Sequence, residues 1–451
     1  MNAEGTSSLQ MSNPSSPILL QTLVRLSEPL KESLSKTPYT PPEANPNDSI
    51  KSQLQSLLPD PISEVDIRTK IKDFALCCAA LASASNSTSQ HLSWVPNSLS
   101  SRAVSAFKEF AKVYYDDSVK AKCLMKVGEL ELDLGGVMET EKKLVIELMP
   151  EVLPMLKGSI KESAIDASDE SDGISAASAR VPVAYAILAA YQFRWFVTQV
   201  DAPHIGILCP LVIPCALSAL DHWSPEVKAQ GMISFIYLAK NVNAAEIGGY
   251  ADVVLDACCQ NVASDDEIWH YMVEMSVLLV TLTQQNNPRS SWYEKLLNEM
   301  LSHLERQPRN KQRRVAWLIH IDRLFNGLGL VLLAHSRRLF PLFFKWMHVD
   351  DDETILLVLE RLITVVRLTW IRNSPYIERL VDELVSLYKD AALKKAREDI
   401  RSLILQILTL IRMSKRKQFD ETWIKYKDDP NLTTIHPSLI EQDPPMGYYC
   451  N

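Results

Sequence analysis

The side chains best suited to metal or nucleophilic chemistry in this chain are its eight cysteines and nine histidines, and their spacing suits neither. Cys77 with Cys78 and Cys258 with Cys259 are adjacent pairs inside apolar helical stretches, while Cys123, Cys209, Cys215 and Cys450 stand singly. Zinc needs Cys-x-x-Cys or His-x-x-x-His spacing to converge its ligands, so these thiols are expected to pack as small hydrophobes in a reducing compartment. His303, His320, His335 and His348 share no helical face and form no metal spacing. The phosphate-binding, dinucleotide-binding, nucleophile-elbow and zincin patterns are all missing. Gly327 and Gly329 end a helical repeat, where glycine lets a helix finish and turn. The acids at Asp265 and Asp266, and from Asp350 to Glu353, fall at predicted turns and helix starts, where they read as solvated caps that complement the helix dipole. No catalytic, cofactor-binding or metal residue is therefore assigned, and a non-enzyme is expected.

Two basic clusters point to a different kind of chemistry. Arg306, Arg309, Lys311, Arg313 and Arg314 crowd one predicted turn, and Arg412, Lys415, Arg416 and Lys417 close the last repeat. A nuclear-import signal or an anionic partner is the sharper reading, and a solvated ridge is the plainer one. The first cluster, with Arg337 and Arg338, is the candidate protein-binding set. A general nucleic-acid role is disfavoured by the formal charge of −8 and by Trp317, Trp346 and Trp370 falling on apolar helices.

The elements that must carry these residues are helical hairpins. Between Ile205 and Val242 an apolar helix, a turn at Asp221 to Pro225 and a second helix form one such unit. On the second helix Glu226, Gln230, Ser234, Lys240 and Asn241 share a narrow polar sector, and most of the remaining circumference is apolar. So wide an apolar arc needs neighbours on two sides, as stacking supplies. Later units pair helices near 246–262 and 267–284, 292–305 and 310–328, 335–347 and 353–370, and 375–389 and 394–412. Their turns fall near 223, 265, 308, 350 and 391, a spacing of about 41 to 43 residues that matches HEAT and armadillo units.

Residues 1–60 read as a mostly disordered tail with one short helix, Ile18 to Leu34. Residues 61–204 read as N-terminal repeats, with helices near 63–84, 98–116, 117–133, 142–160 and 181–200 and a disordered acidic loop at 161–180. Ser98 or Ser100 is placed as the cap of the second of these helices, with Ala103, Val104, Phe107, Phe110 and Val113 along one side. Residues 205–428 read as C-terminal HEAT-like repeats and 429–451 as a tail. His204 to Leu220 is too short and too rich in proline to cross a bilayer, and no membrane or leader segment is expected. The fold class is an all-α solenoid.

Within residues 205–412, LDHWSPEVKAQGMISFIYLAKNV with ADVVLDACCQNV, and the later FNGLGLVLLAHSRRLFPLFFKWMHVDDDETILLVLERLITVVRLTW, resemble the HEAT region of the Tti-two family. Residues 1–200 align only loosely, and the acids near 166–172 match no feature of that family. The resemblance implies a subunit of the TTT (Triple T) complex, partnered by Tel-two-like and Tti-one-like helical-repeat subunits. Such a complex is a cochaperone adaptor between chaperone machinery and phosphatidylinositol 3-kinase-related kinases, supporting their folding, assembly and stability. A cytoplasmic or nuclear location and the absence of a cofactor are expected with it. The rival expectation is an armadillo/importin-like adaptor for peptide or protein cargo.

Overall fold

The computed structural model describes residues 16–40, 49–60, 66–86, 91–116, 124–127, 130–133, 138–163, 182–285, 287–369 and 374–432. They form two compact units, Met1–Gly248 and Gly249–Asn451. Each is an all-α stack of antiparallel helical hairpins, the solenoid class expected from the repeat spacing. The unit boundary lies beyond the expected one at 204/205, because the hairpin of 205–242 packs on the helices before it.

The first unit holds α1 (Ser16–Lys36), α2 (Ile50–Ser56), α3 (Ile67–Ser83), α4 (Asn97–Asp116), α5 (Thr140–Glu162), α6 (Val183–Thr198), α7 (His204–Ile207), α8 (Cys209–Leu220), α9 (Pro225–Asn241) and α10 (Ala244–Ile247). Helices α3, α6 and α9 pack side by side in one layer, and α4, α5 and α8 in the other. Because α3 and α6 have neighbours on several sides, they are buried nearly all round, from Ile71 to Leu81 and from Ala184 to Val197. Two polar side chains inside this core bond to main-chain carbonyls: Gln192 Nε2 donates to Leu76 O at 3.1 Å and Ser83 Oγ to Tyr191 O at 3.1 Å. On α9, Gly231 faces α8 so closely that a Cβ there would sit 3.0 Å from Ala219 Cβ and 3.1 Å from Ala216 O.

Several expectations for this unit are corrected. The short helix expected at Ile18 to Leu34 is present as α1, but it and α2 are packed and not a tail: Leu23, Leu30 and Leu34 of α1 and Ile50 and Leu54 of α2 are buried, with α1 against α3 and α4 and α2 against α3 and α6. Residues 1–15 and 41–48 lie outside the described residues. The helix expected over 117–133 is replaced in its second half by an antiparallel hairpin, β1 (Leu124–Val127) with β2 (Leu130–Asp133), with Leu124 opposite Asp133. Of its two strands only LELD alternates apolar and polar residues with the two-residue period of a strand. Helix α4 begins at Asn97, so Ser98 and Ser100 lie inside it, and Val104 is 47% exposed because the buried arc runs through Ala103, Ala106, Phe107 and Phe110. Gln230 and Ser234, placed on the outer sector of α9, are buried, with Ser234 Oγ donating to Gln230 O at 2.8 Å. The α9 helix is covered by α6 as well as α8, which closes over that sector. The acidic loop from 164 to 181 lies outside the described residues, while 161–163 complete the end of α5.

The second unit holds α11 (Ala251–Gln260), α12 (Trp269–Thr283), α13 (Ser291–Arg306), α14 (Lys311–His320), α15 (Asp322–Leu328), α16 (Ser336–Met347), α17 (Asp352–Thr369), α18 (Ile377–Asp390), α19 (Arg397–Ser414) and α20 (Arg416–Trp423). First helices α11, α13, α16 and α18 pack in sequence, and so do second helices α12, α14 with α15, α17 and α19. The core between the layers holds Trp269, Trp317, Trp346, Phe325, Phe340 and Phe343. Helix α20 closes the stack through buried Phe419, and Asp429 pairs with Lys389, while residues 433–451 lie outside the described set. The run Asp322–Met347 is long and apolar enough by composition to cross a membrane. It is interrupted at Gly329 (φ 52°) and carries Arg338 paired with Glu305 at 2.8 Å, features of a repeat core.

Candidate protein-binding surface

The first unit contains one pair with the spacing of a nucleophile and its base. His222, in the α8–α9 turn, lies with Nε2 3.0 Å from Ser163 Oγ at the end of α5, and both are buried. The other ring nitrogen decides what the pair can do. Nδ1 accepts the Ser224 backbone N–H at 3.0 Å, so in the neutral ring Nε2 carries the proton and donates to the serine. Burial pushes the His222 pKa down to about 4, which keeps the ring neutral. A general base needs a free lone pair facing the hydroxyl, and here the amide occupies it. The pair is a clasp: it ties the end of α5 to the turn, and Trp223 Nε1 adds a bond to Ser163 O at 3.2 Å.

The thiols carry no activation either. Cys77, Cys78, Cys209, Cys215 and Cys258 are buried and Cys259 is half-buried, and desolvation raises every one, Cys209 and Cys259 to about 11 and Cys215 and Cys258 to about 12. Among the described residues no group of three or more His, Cys, Asp or Glu is placed to hold a metal ion.

The basic turn of the second unit is divided by the structure. Arg313, with only 5% of its side chain exposed, donates from Nε to Asp266 Oδ1 at 2.5 Å and from Nη2 to Ser264 O at 2.6 Å, and its guanidinium stacks 4.6 Å over Trp269. Arg314 is also buried, and donates to Thr354 Oγ1 at 3.2 Å with Asp351 3.9 Å away. Lys311 bridges Asp351 at 2.8 Å and Glu353 at 3.2 Å. Arg338 is held by Glu305, Asn298 and Ser302. Arg306, Arg309 and Arg337 alone of the candidate set are exposed without a partner among the described residues.

These bonds recur from one repeat to the next. The α11–α12 turn accepts from α14, the α16–α17 turn accepts from α14 through Asp351, and Asp350 accepts from Lys394 at 2.9 Å, with Asp352 taking the Ala396 N–H at 3.0 Å. The acids from Asp350 to Glu353 stand at the start of α17 as expected, and they also staple neighbouring hairpins. Hydrogen bonds from Arg313 hold the Asp266 carboxyl below its ordinary range. Burial pushes Asp351 up, but bonds from Lys311 and Thr354 outweigh it and its pKa is lowered too. The buried Arg314 is pulled down by desolvation. Sequence reasoning missed that a turn cation can be consumed by a neighbouring repeat's acid, although the 47-residue separation of Asp266 and Arg313, about one repeat, was the available signal.

The second-helix layer leaves apolar and cationic side chains exposed. Ile319 is 50% exposed, Arg323 stands one turn past it, Asn326 follows at helical spacing, and Leu330, 51% exposed, comes just after the break at Gly329. An α-solenoid face of this kind can seat another chain but holds no group placed for bond-making.

No model of a known protein family matches the chain. Among solved structures it is similar to Kap121p, with 11% identity and a TM-score of 0.36, over 94% of this chain and 48% of that one. Kap121p bound to Nup53p gives 12% identity and a TM-score of 0.35, over 96% and 48%. The chain thus spans about half the length of these structures. With 56% identity over 414 residues, covering 92% of this chain and 93% of the relative, the chain belongs to the family of the Arabidopsis thaliana protein named "Uncharacterized protein At2g39910".

Proposed function

We propose that this chain is a non-enzymatic scaffold that binds other proteins, and more narrowly the Tti-two-like subunit of a TTT-like cochaperone complex. In that role it engages Tel-two-like and Tti-one-like helical-repeat subunits and supports the folding, assembly and stability of phosphatidylinositol 3-kinase-related kinases. One observation carries the protein-binding role. Ser163, His222 and Arg313 are consumed in clasps between helices, whereas Ile319 and Leu330 stand half in water. The narrower role rests on the sequence resemblance across residues 205–412. Affinity purification of the tagged chain from its native cells, washed in high salt, tests it. Two helical-repeat proteins in equal amounts, with sub-stoichiometric chaperones and giant kinases, support the reading, and their absence removes it.

A second reading, an armadillo/importin-like adaptor, keeps the protein-binding role and changes the occupant to an extended cargo peptide. Groove ladders built on tryptophan need exposed rings at equivalent positions of successive repeats; of Trp223, Trp269, Trp317 and Trp346 the last three are buried and Trp223 alone is exposed. Recovery of diverse cargo in place of two constant partners would favour that reading.

A further inference from the structure

Many arginines of the second unit have a carboxylate partner: Arg313 with Asp266, Arg338 with Glu305, Arg361 with Asp322 and Arg379 with Glu383. Arg323 and Arg367 are exposed and have none among the described residues. Their positions are tied together by one junction between α15 and α17. Thr364 Oγ1 donates to Asp322 Oδ1 at 2.6 Å, and Arg361 Nη1 reaches the same oxygen at 3.3 Å. Arg323 follows Asp322 directly, and Arg367 lies one turn past Thr364, roughly 5 Å along the axis, so each cation stands in its own helix within a turn of a residue of this junction. Ile319 sits one turn before Arg323, and Leu330 just past the Gly329 break, each about half exposed.

A helix C-terminus favours a cation, which accounts for Arg367 in the last turn of α17. It does not account for Arg323, nor for two aliphatic side chains left in water on either side of it. The chain as a whole carries a formal charge of −8, so an acidic partner is repelled by most of its surface and held only where cations stand free. We propose that the stripe Ile319, Arg323 and Leu330, with Arg367 across the junction, docks an acidic segment of a partner protein that also carries large apolar side chains. The partner's carboxylates face Arg323 and Arg367, and its apolar side chains cover Ile319 and Leu330. The inference rests on the protein-binding reading above and gives that partner a chemistry.

The test is site-specific photo-crosslinking in the tagged full-length chain in its native cells, with p-benzoylphenylalanine replacing Leu330. Crosslinked peptides are identified by mass spectrometry. The expected product joins residue 330 to a partner segment in which Asp and Glu outnumber Lys and Arg. Its yield falls at least tenfold in Arg323→Glu/Arg367→Glu and is unchanged in Arg306→Glu/Arg309→Glu. Should the charge-reversed chain fail to fold, Arg323→Gln/Arg367→Gln carries the comparison. A crosslink to a basic or neutral segment, or one that persists in both paired variants, overturns the proposal. Copurification of stable partners without any crosslink from 330 overturns it while leaving the scaffold role intact, and loss of all partners removes both.

Discussion

The α8–α9 turn of the first unit and the α13–α14 turn of the second solve the same problem with opposite chemistry. Each must bury polar groups where a hairpin meets its neighbour. The first uses a neutral imidazole, His222, which accepts from Ser224 and donates to Ser163. The second uses a full charge, Arg313, which reaches Asp266, Ser264 and the face of Trp269. The neutral clasp draws its strength from burial and so depends on pH near neutrality. The charged clasp draws it from an ion pair whose acid is partly exposed, and so is insensitive to pH until that carboxylate protonates.

Removing the charged clasp should have the largest effect. Arg313→Ala strands the Ser264 carbonyl and uncovers Trp269, and should cost about 3 kcal/mol in urea unfolding of the full chain. A loss under about 1 kcal/mol would mean that the turn does not rely on it. Next comes His222. Its folded pKa of about 4 lies below the ordinary 6.5, so as pH falls from 6.5 the unfolded chain takes the proton first. The stability lost between about pH 6.5 and 4 approaches ~3 kcal/mol, and none of this term is lost above pH 7. Burial also lowers His270, His303 and His335, so the natural chain sums several such terms. His222→Asn keeps an acceptor for the Ser224 amide but cannot titrate. Its melting midpoint, tracked by circular dichroism across that window, should fall less steeply than that of the natural chain. The lowered carboxyls of Asp266, Asp350 and Asp351 act in the same direction in a more acidic window: their contribution is present above about pH 4 and lost below it.

Smaller effects sharpen the contrast between clasp and surface. Gly231→Ala should cost about 1 to 2 kcal/mol, because the new methyl meets Ala219 Cβ at 3.0 Å. Arg306→Glu, at an exposed position without a partner among the described residues, should change stability by less than about 0.5 kcal/mol. A large loss there would show that the basic turn is stapled at more points than Arg313, Arg314 and Lys311.

The helical layers were legible because burial leaves a periodic trace. The wide apolar arcs on α9 and α17 announced neighbours on two sides, and the turn spacing placed the hairpins of the second unit to within a few residues. The helix at Ile18 to Leu34 was legible, but its packing was not: proline and serine around it resemble a tail, and Leu23, Leu30 and Leu34 form too short a run to announce a buried face. Residues 124–133 were misread as helix because four-residue strands give little periodicity to detect. The basic turn was legible as a cluster but not as a set of partners. Whether Arg313 faces water or Asp266 depends on where the preceding repeat lies, which local spacing does not contain. Ile319 and Leu330 escaped notice for the converse reason: in a sequence an exposed aliphatic residue looks like every buried one.

The closeness of α8 and α9 at Gly231 has a meaning for the descent of this family. Three small positions, Ala216, Ala219 and Gly231, share one seam of nearly fixed width. A lineage that gains a methyl group at 231 must give one up at 219, or shift a whole helix against its neighbours. Exchanges at these two positions should therefore appear as pairs across relatives, with side-chain volume traded between the helices while the distance between their backbones stays the same.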